Sequence, residues 1–196
     1  MEKEIIQTSS RIIKIVLFGP ESTGKTTLAR ALAKHFNSPW VEEYMRVYLE
    51  KKIENENFEF TQKDLIPIAK GQIELENLKT KQANKLLFCD TNLLQIYTYA
   101  KEYYPNYHHP VFENAISTHH YDLYLLTNID VPWEADPLRD KPHEREKMFR
   151  IFEETLKKLK LPYICLTGSL KERMQLTVQE VMKLMSNEKT EQNEFK

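Results

Sequence analysis

The sequence predicts an α/β fold of three layers, a five-stranded parallel sheet with helices on both faces, and three observations predict it. Five short apolar runs alternate with helical patterns along the 196 residues, the order expected of parallel strands joined by crossover helices. The runs are close to continuously hydrophobic, as strands covered on both faces must be. Between the first run and the first helix lies Gly19-Pro20-Glu21-Ser22-Thr23-Gly24-Lys25-Thr26, a complete G-x-x-x-x-G-K-[ST] phosphate-binding loop. A strand, a glycine loop and a helix in that order define a P-loop NTPase fold.

The elements follow in turn. Ile12 to Phe18 is a β-branched run that reads as the first strand, and Thr27 to Ala33 has the composition of the helix the loop feeds. Pro39 to Glu42 reads as a short second strand and Tyr44 to Lys52 as a helix. Thr61 is a candidate N-cap for a helix whose apolar positions Leu65, Ile68, Ile73 and Leu78 continue to about Ala83. Pro67 is expected to kink that helix or to sit near its first turn. Lys85 to Cys89 is the third strand, ending at Asp90, with helices over Asn92 to Glu102 and Val111 to Thr118. Tyr121 to Leu126 is the fourth strand, and the polar, proline-punctuated Asn128 to Pro142 is a loop in the place of a kinase-like lid. A helix over Glu144 to Lys160, a fifth strand over Pro162 to Leu166 and a helix over Leu170 to Met185 complete the pattern. The whole is expected to be one domain over residues 1–196, with its core in 12–185 and a frayed polar tail over 186–196.

Right-handed crossovers gather the loops at the carboxyl ends of the strands into one site. There, Gly19 and Gly24 permit backbone conformations that let several N–H groups converge on phosphate oxygens. The expected ATP contacts are Gly19, Glu21, Ser22, Thr23, Gly24, Lys25, Thr26 and Thr27. Lys25 supplies a cation for the β- and γ-phosphates, and the Thr26 hydroxyl is the expected Mg2+ ligand. Gly168, in Thr167-Gly168-Ser169 after the fifth strand, is expected beside adenine on topology alone.

Asp90 follows Leu86-Leu87-Phe88-Cys89 directly, the position of a Walker-B aspartate that holds Mg2+ itself or through water. The competing reading is a cap on the next helix. Glu42 and Glu43 end the second strand, where a carboxylate can accept a proton from an attacking hydroxyl. Strand alternation lets only one of them face inward, and the spacing does not choose. Arg139 and Arg145 flank a polar segment where a lid would carry guanidinium groups over the transferring phosphate.

Bulk properties narrow the function. A formal net charge of -1 gives no support for a nucleic-acid surface. No stretch has the apolar length of a membrane span, and the first residues lack the apolar core of a signal peptide. Cys89 and Cys165 lie in apolar runs and read as buried thiols, so a cytoplasmic location with a small-molecule partner is expected. The histidines show no metal-ligand spacing, and nothing fixes an oligomeric state or a preference for ATP over GTP.

Several segments beyond the phosphate loop carry a resemblance: Trp40-Val41-Glu42-Glu43-Tyr44-Met45-Arg46, Gly71-Gln72, Leu87-Phe88-Cys89-Asp90-Thr91-Asn92, Trp133-Glu134-Ala135-Asp136-Pro137-Leu138-Arg139 and Leu161-Pro162-Tyr163-Ile164. Together they resemble the ribosylnicotinamide kinase domain at the C-terminus of NadR-type proteins, over about Lys14 to Met185. The resemblance implies transfer of the ATP γ-phosphate to the 5′-hydroxyl of nicotinamide riboside. It implies that Glu43 is the acidic residue after the second strand, with Arg46 its companion, and that Asn92 meets the acceptor. Trp133 is expected either to face the nicotinamide ring or to anchor the lid. The family pattern often carries a second acid where this chain has Asn92, which leaves the base to Glu43 or Asp90. With no H-x-G-H motif and no room for an adenylyltransferase domain, the reaction is expected to stop at the mononucleotide. A kinase for another nucleoside or small metabolite, and a non-catalytic ATP-binding regulatory module, are the alternatives.

Overall fold

The computed structural model describes residues 5–53, 60–136 and 143–194. Five strands, β1 (Ile13–Phe18), β2 (Trp40–Val41), β3 (Leu86–Asp90), β4 (Leu123–Thr127) and β5 (Tyr163–Leu166), form an all-parallel sheet of order β2-β3-β1-β4-β5. The helices are α1 (Lys25–Phe36), α2 (Tyr44–Ile53), α3 (Gln62–Gln82), α4 (Leu93–Tyr103), α5 (Pro110–Thr118), α6 (Arg145–Lys158) and α7 (Leu170–Glu194). The predicted order of elements is thus observed.

Residue parity along the strands divides the core. Ile13, Ile15 and Leu17 of β1, Leu86 and Phe88 of β3, and Leu123 and Leu125 of β4 pack with Leu28 and Leu32 of α1 and Val181 of α7. Their neighbours Val16, Phe18, Leu87, Cys89, Tyr124 and Leu126 pack on the other face with Leu94 of α4 and Met148, Phe152 and Leu156 of α6. Alternating side chains thus bury both faces, which is why the strands read as unbroken apolar runs. A third cluster joins α3, α4 and α5 around Ile68, Leu93 and Phe112. This flanking subassembly forms the wall opposite the phosphate loop.

Lys14 occupies a core position of β1 and pairs with Glu76 of α3 at 2.9 Å. Glu76 also accepts hydrogen bonds from Tyr121 (2.8 Å) and Gln7 (2.8 Å). A fully buried carboxylate is tolerable only with its oxygens satisfied in this way.

Local signals behave as expected at most boundaries. Thr61 and Asp64 form a reciprocal capping box at the start of α3. Pro67 lies inside α3, beyond the first turn. β4 begins at Leu123, two residues later than expected, and the Tyr121 hydroxyl donates to Glu76. The expectation of a frayed tail after Met185 is corrected: α7 continues to Glu194. Residues 186–194 include three Glu and contain no Gly or Pro, so no helix breaker follows Met185.

Candidate active site

The phosphate loop connects β1 to α1 at the carboxyl edge of the sheet. Its first glycine is required twice over. Gly19 has φ +132, and a Cβ there would lie 2.9 Å from Thr127 Oγ1 and 3.0 Å from the Thr127 carbonyl oxygen. The loop therefore rests directly on the end of β4. Thr23 reinforces the contact, its hydroxyl bonding Thr127 Oγ1 at 2.7 Å and the Pro20 carbonyl at 2.8 Å. From the α4 side, Gln95 accepts the Gly19 N–H (3.1 Å) and the Tyr99 hydroxyl accepts the Glu21 N–H (2.9 Å). Lys25 Nζ donates to the carbonyls of Gly19 (3.0 Å) and Pro20 (2.6 Å), which keeps the ammonium over the loop. Gly24 caps α1 in the left-handed conformation, so the first amides of α1 face the same space, where they favour an anion.

Asp90 shares residue parity with Leu86 and Phe88, so it falls on the α1 face of the sheet. There it accepts a hydrogen bond from the Thr26 hydroxyl. It is buried, and burial raises its pKa, against the opposing pull of Thr26, Lys25, Arg30 and Arg46. The helix cap is a different residue. Asn92 caps α4 by accepting the Gln95 N–H at 3.2 Å, which leaves Asp90 to Thr26. The expectation that Asn92 meets the acceptor is corrected: it is fully buried, and its amide nitrogen donates to the Tyr124 hydroxyl at 3.0 Å. Both ends of its side chain serve the fold.

Glu42 is exposed, whereas Glu43 lines a cleft of about 620 Å³ together with Lys25, Thr26, Asp90 and Arg46. The structure therefore chooses between the two acids. Gln72 of α3, itself fully buried, fixes the choice by straddling Glu43: its Oε1 accepts the Tyr44 N–H (2.8 Å) and its Nε2 donates to the Glu42 carbonyl (3.1 Å). Gly71 precedes it because a Cβ there would lie 2.0 Å from the Tyr44 ring. Arg46, in the first turn of α2, forms a salt bridge to Asp136 at 2.9 Å. Burial disfavours the Arg46 charge, but Asp136, Glu43 and Glu50 more than offset it.

The segment after β4 closes over the loop. The Glu134 N–H donates to Ser22 Oγ at 2.8 Å. Arg145 donates to the carbonyls of Val131 (3.0 Å) and Ser22 (3.0 Å), with its guanidinium 5.8 Å from the centre of the Trp133 ring. Val131, Pro132 and Glu134, neighbours of Trp133, line the cleft. Arg139 lies outside the described residues.

Gly168 (φ +84) donates its N–H to Asp130 at 2.5 Å and presents its carbonyl to Arg173 at 3.0 Å. Arg173, which pattern reading missed, is buried and gathers three loops. It donates to the carbonyls of Thr23 (2.6 Å), Asn128 (3.1 Å) and Gly168 and pairs with Asp130. Gln72, Gln95, Tyr99 and Thr127 were missed as well. Of these only Gln72 carried a signal, as half of Gly71-Gln72.

The AAA_28 profile, described as an AAA domain, matches residues 14–173. The trifunctional NAD biosynthesis/regulator protein NadR of Salmonella typhimurium is 29% identical over 152 residues, 76% of this chain and 37% of that protein. NadR of Escherichia coli is 32% identical over 125 residues, 64% of this chain and 30% of that protein. The chain thus spans about a third of the length of these curated relatives. Among solved structures, NadR protein in complex with NR superposes with a TM-score of 0.74 at 24% identity, over 88% of this chain and 51% of that one. Deoxyadenosine kinase from M. mycoides superposes with a TM-score of 0.62 at 15% identity, over 87% of this chain and 100% of that one. These two likenesses concern the fold, that of P-loop kinases. The profile covers most of the sequence, and on that match the chain belongs to the AAA_28 family of AAA domains.

Proposed function

We propose that this chain transfers the γ-phosphate of ATP to the 5′-hydroxyl of nicotinamide riboside, giving nicotinamide mononucleotide and ADP. One observation carries the reading: a single cleft joins the nucleotide end, Lys25, Thr26 and Asp90, to an acceptor end with Glu43 and Arg46. Phenylalanine and tyrosine rings (Phe60, Tyr99, Tyr103) line the same cleft, and with Glu43 they suit a flat cationic ring. The relatives' name, NAD biosynthesis/regulator protein, and a solved NadR complex with NR support the acceptor.

The residues fit a divalent cation. Thr26 and Asp90 offer hard oxygen donors in mutual contact, and among the described residues no cluster of three His, Cys, Asp or Glu forms an all-protein cage. That is the donor set of Mg2+ held by one or two protein oxygens and by phosphates. When bound, Mg2+ supplies charge neutralisation at the phosphates. Loop amides and Lys25 bind the triphosphate. Glu43 accepts the proton of the 5′-hydroxyl as its oxygen bonds to the γ-phosphorus and the bond to ADP breaks. Arg139 supplies positive charge to the transferring group, and Arg145 holds the lid segment on the phosphate loop. Positioning and charge compensation are the main demands of this chemistry.

The test is acceptor-dependent ADP release by the purified chain over a panel of nucleosides, with product mass. Nicotinamide riboside should gain one phosphate with the highest kcat/KM. No turnover of it alongside efficient use of deoxyadenosine or thymidine would refute the assignment. ATP binding without acceptor-dependent turnover would favour the regulatory module.

A further inference from the structure

Thr91, between Asp90 and the cap residue Asn92, has no role in the scheme above, yet the fold treats it unusually. Its φ is +90, a region that β-branched residues avoid because their Cβ substituents crowd the backbone. The other described non-glycine residues with positive φ have local reasons. Asn37 caps α1, Lys160 follows the end of α6, and Ser22 lies in the phosphate loop. Thr91 ends no helix and forms no tight hairpin.

The strain has a visible product. By strand parity Thr91 belongs with Leu87 and Cys89, on the face opposite Asp90. The positive φ breaks the alternation at that residue, and Asp90 and Thr91 both line the cleft. Thr91 is 1% exposed, and its Oγ1 is buried without a hydrogen-bond partner in the protein. A buried hydroxyl is almost always paired. An unpaired one on a strained residue, beside the aspartate that meets Thr26, marks a group held ready for a ligand.

We infer that the Thr91 hydroxyl is an acceptor-binding group: it donates a hydrogen bond to the oxygen of the primary hydroxyl that is phosphorylated and orients it toward the nucleotide. The nucleotide side of the cleft already has its own hydroxyl in Thr26, bonded to Asp90. Thr91 and Glu43 then divide the work on the acceptor oxygen. Thr91 donates to a lone pair, and Glu43 takes the proton. The inference rests on the kinase reading.

Three variants test it, measured with ATP and the nucleoside that the wild type phosphorylates best. Thr91→Ala should lower kcat/KM for the acceptor about tenfold to a hundredfold, with the Kd for Mg2+ and AMP-PNP within about twofold of wild type, because the hydroxyl serves the acceptor. Thr91→Ser should restore the rate to within about threefold, since it keeps the hydroxyl. Thr91→Gly should melt above Thr91→Ala, because glycine adopts this φ freely, and still turn over as poorly. Wild-type acceptor kinetics in Thr91→Ala, or a loss confined to AMP-PNP binding, would overturn the inference. Failure to phosphorylate nicotinamide riboside while another nucleoside turns over sinks the assigned acceptor alone, and the Thr91 ratios remain measurable with that nucleoside. No turnover with any nucleoside sinks both.

Discussion

Replacing Gly71 by alanine should harm the proposed catalysis far more than it harms folding. The added Cβ would stand 2.0 Å from Cε1 of Tyr44, 2.3 Å from Cζ and 2.4 Å from Cδ1, more than 1 Å inside ordinary contact. The ring cannot bend, and the expected response is that Tyr44 and the start of α2 move away from α3. Ala also favours the helix over Gly by about 0.8–1 kcal/mol, which offsets part of an overpacking cost of about 1–3 kcal/mol. The net destabilisation is then about 0–2 kcal/mol, a fall in Tm of only a few degrees in a chain of this size. Glu43 precedes Tyr44 directly, and Gln72 ties both flanking peptides, so the carboxylate shifts with the ring. A displacement of about 1 Å at a reacting group costs about a hundredfold, close to 2.7 kcal/mol.

Steady-state kinetics with ATP and nicotinamide riboside, alongside thermal melts, read both quantities on one preparation. The expected result is a drop in acceptor kcat/KM of about a hundredfold with AMP-PNP affinity unchanged. Removing the ring as well, in Gly71→Ala with Tyr44→Ala, should recover part of the loss. Wild-type kcat/KM in Gly71→Ala would show that the ring swings aside and leaves Glu43 in place, and would refute the coupling.

Asp90→Asn should lower kcat by at least about a hundredfold while raising Tm at neutral pH. The folded-state pKa of Asp90 is raised, chiefly by burial, so its stabilising contribution exists in acid and is lost as pH rises through that pKa. The gain in Tm should therefore shrink toward zero as melts are repeated at acidic pH. Lys14→Met leaves the buried Glu76 with Tyr121 and Gln7 only, and urea unfolding should show a loss of about 3–5 kcal/mol with unchanged KM for both substrates. Arg173→Met strips a buried cation from Thr23, Asn128, Gly168 and Asp130. It should raise KM for ATP about tenfold or more, leave acceptor KM unchanged, and not be rescued by lysine, which lacks the planar fork.

What the sequence made legible was local or periodic. The glycine loop, the apolar strands and the Thr61 cap each lie within a few residues of their own cause, and all appear where expected. Asp90 was legible because it ends a strand beside the loop. The Glu42/Glu43 choice was not, because β2 is only two residues long and Gln72, from another helix, sets the direction. Asn92 was misplaced because its partner Tyr124 comes from a strand 32 residues away. Arg173 was invisible for the same reason, since its bond to Thr23 spans 150 residues. Distant polar partners leave no period to read.

The Arg173 guanidinium is a shared hub. The loops after β1, β4 and β5 all terminate on one side chain, so the region that cradles phosphate and the region expected to hold the base are mechanically one body. Efforts to retune nucleotide preference by remodelling residues 128–130 or 167–169 would disturb the grip on the triphosphate as well. A new base preference in this scaffold has to be built around that arginine.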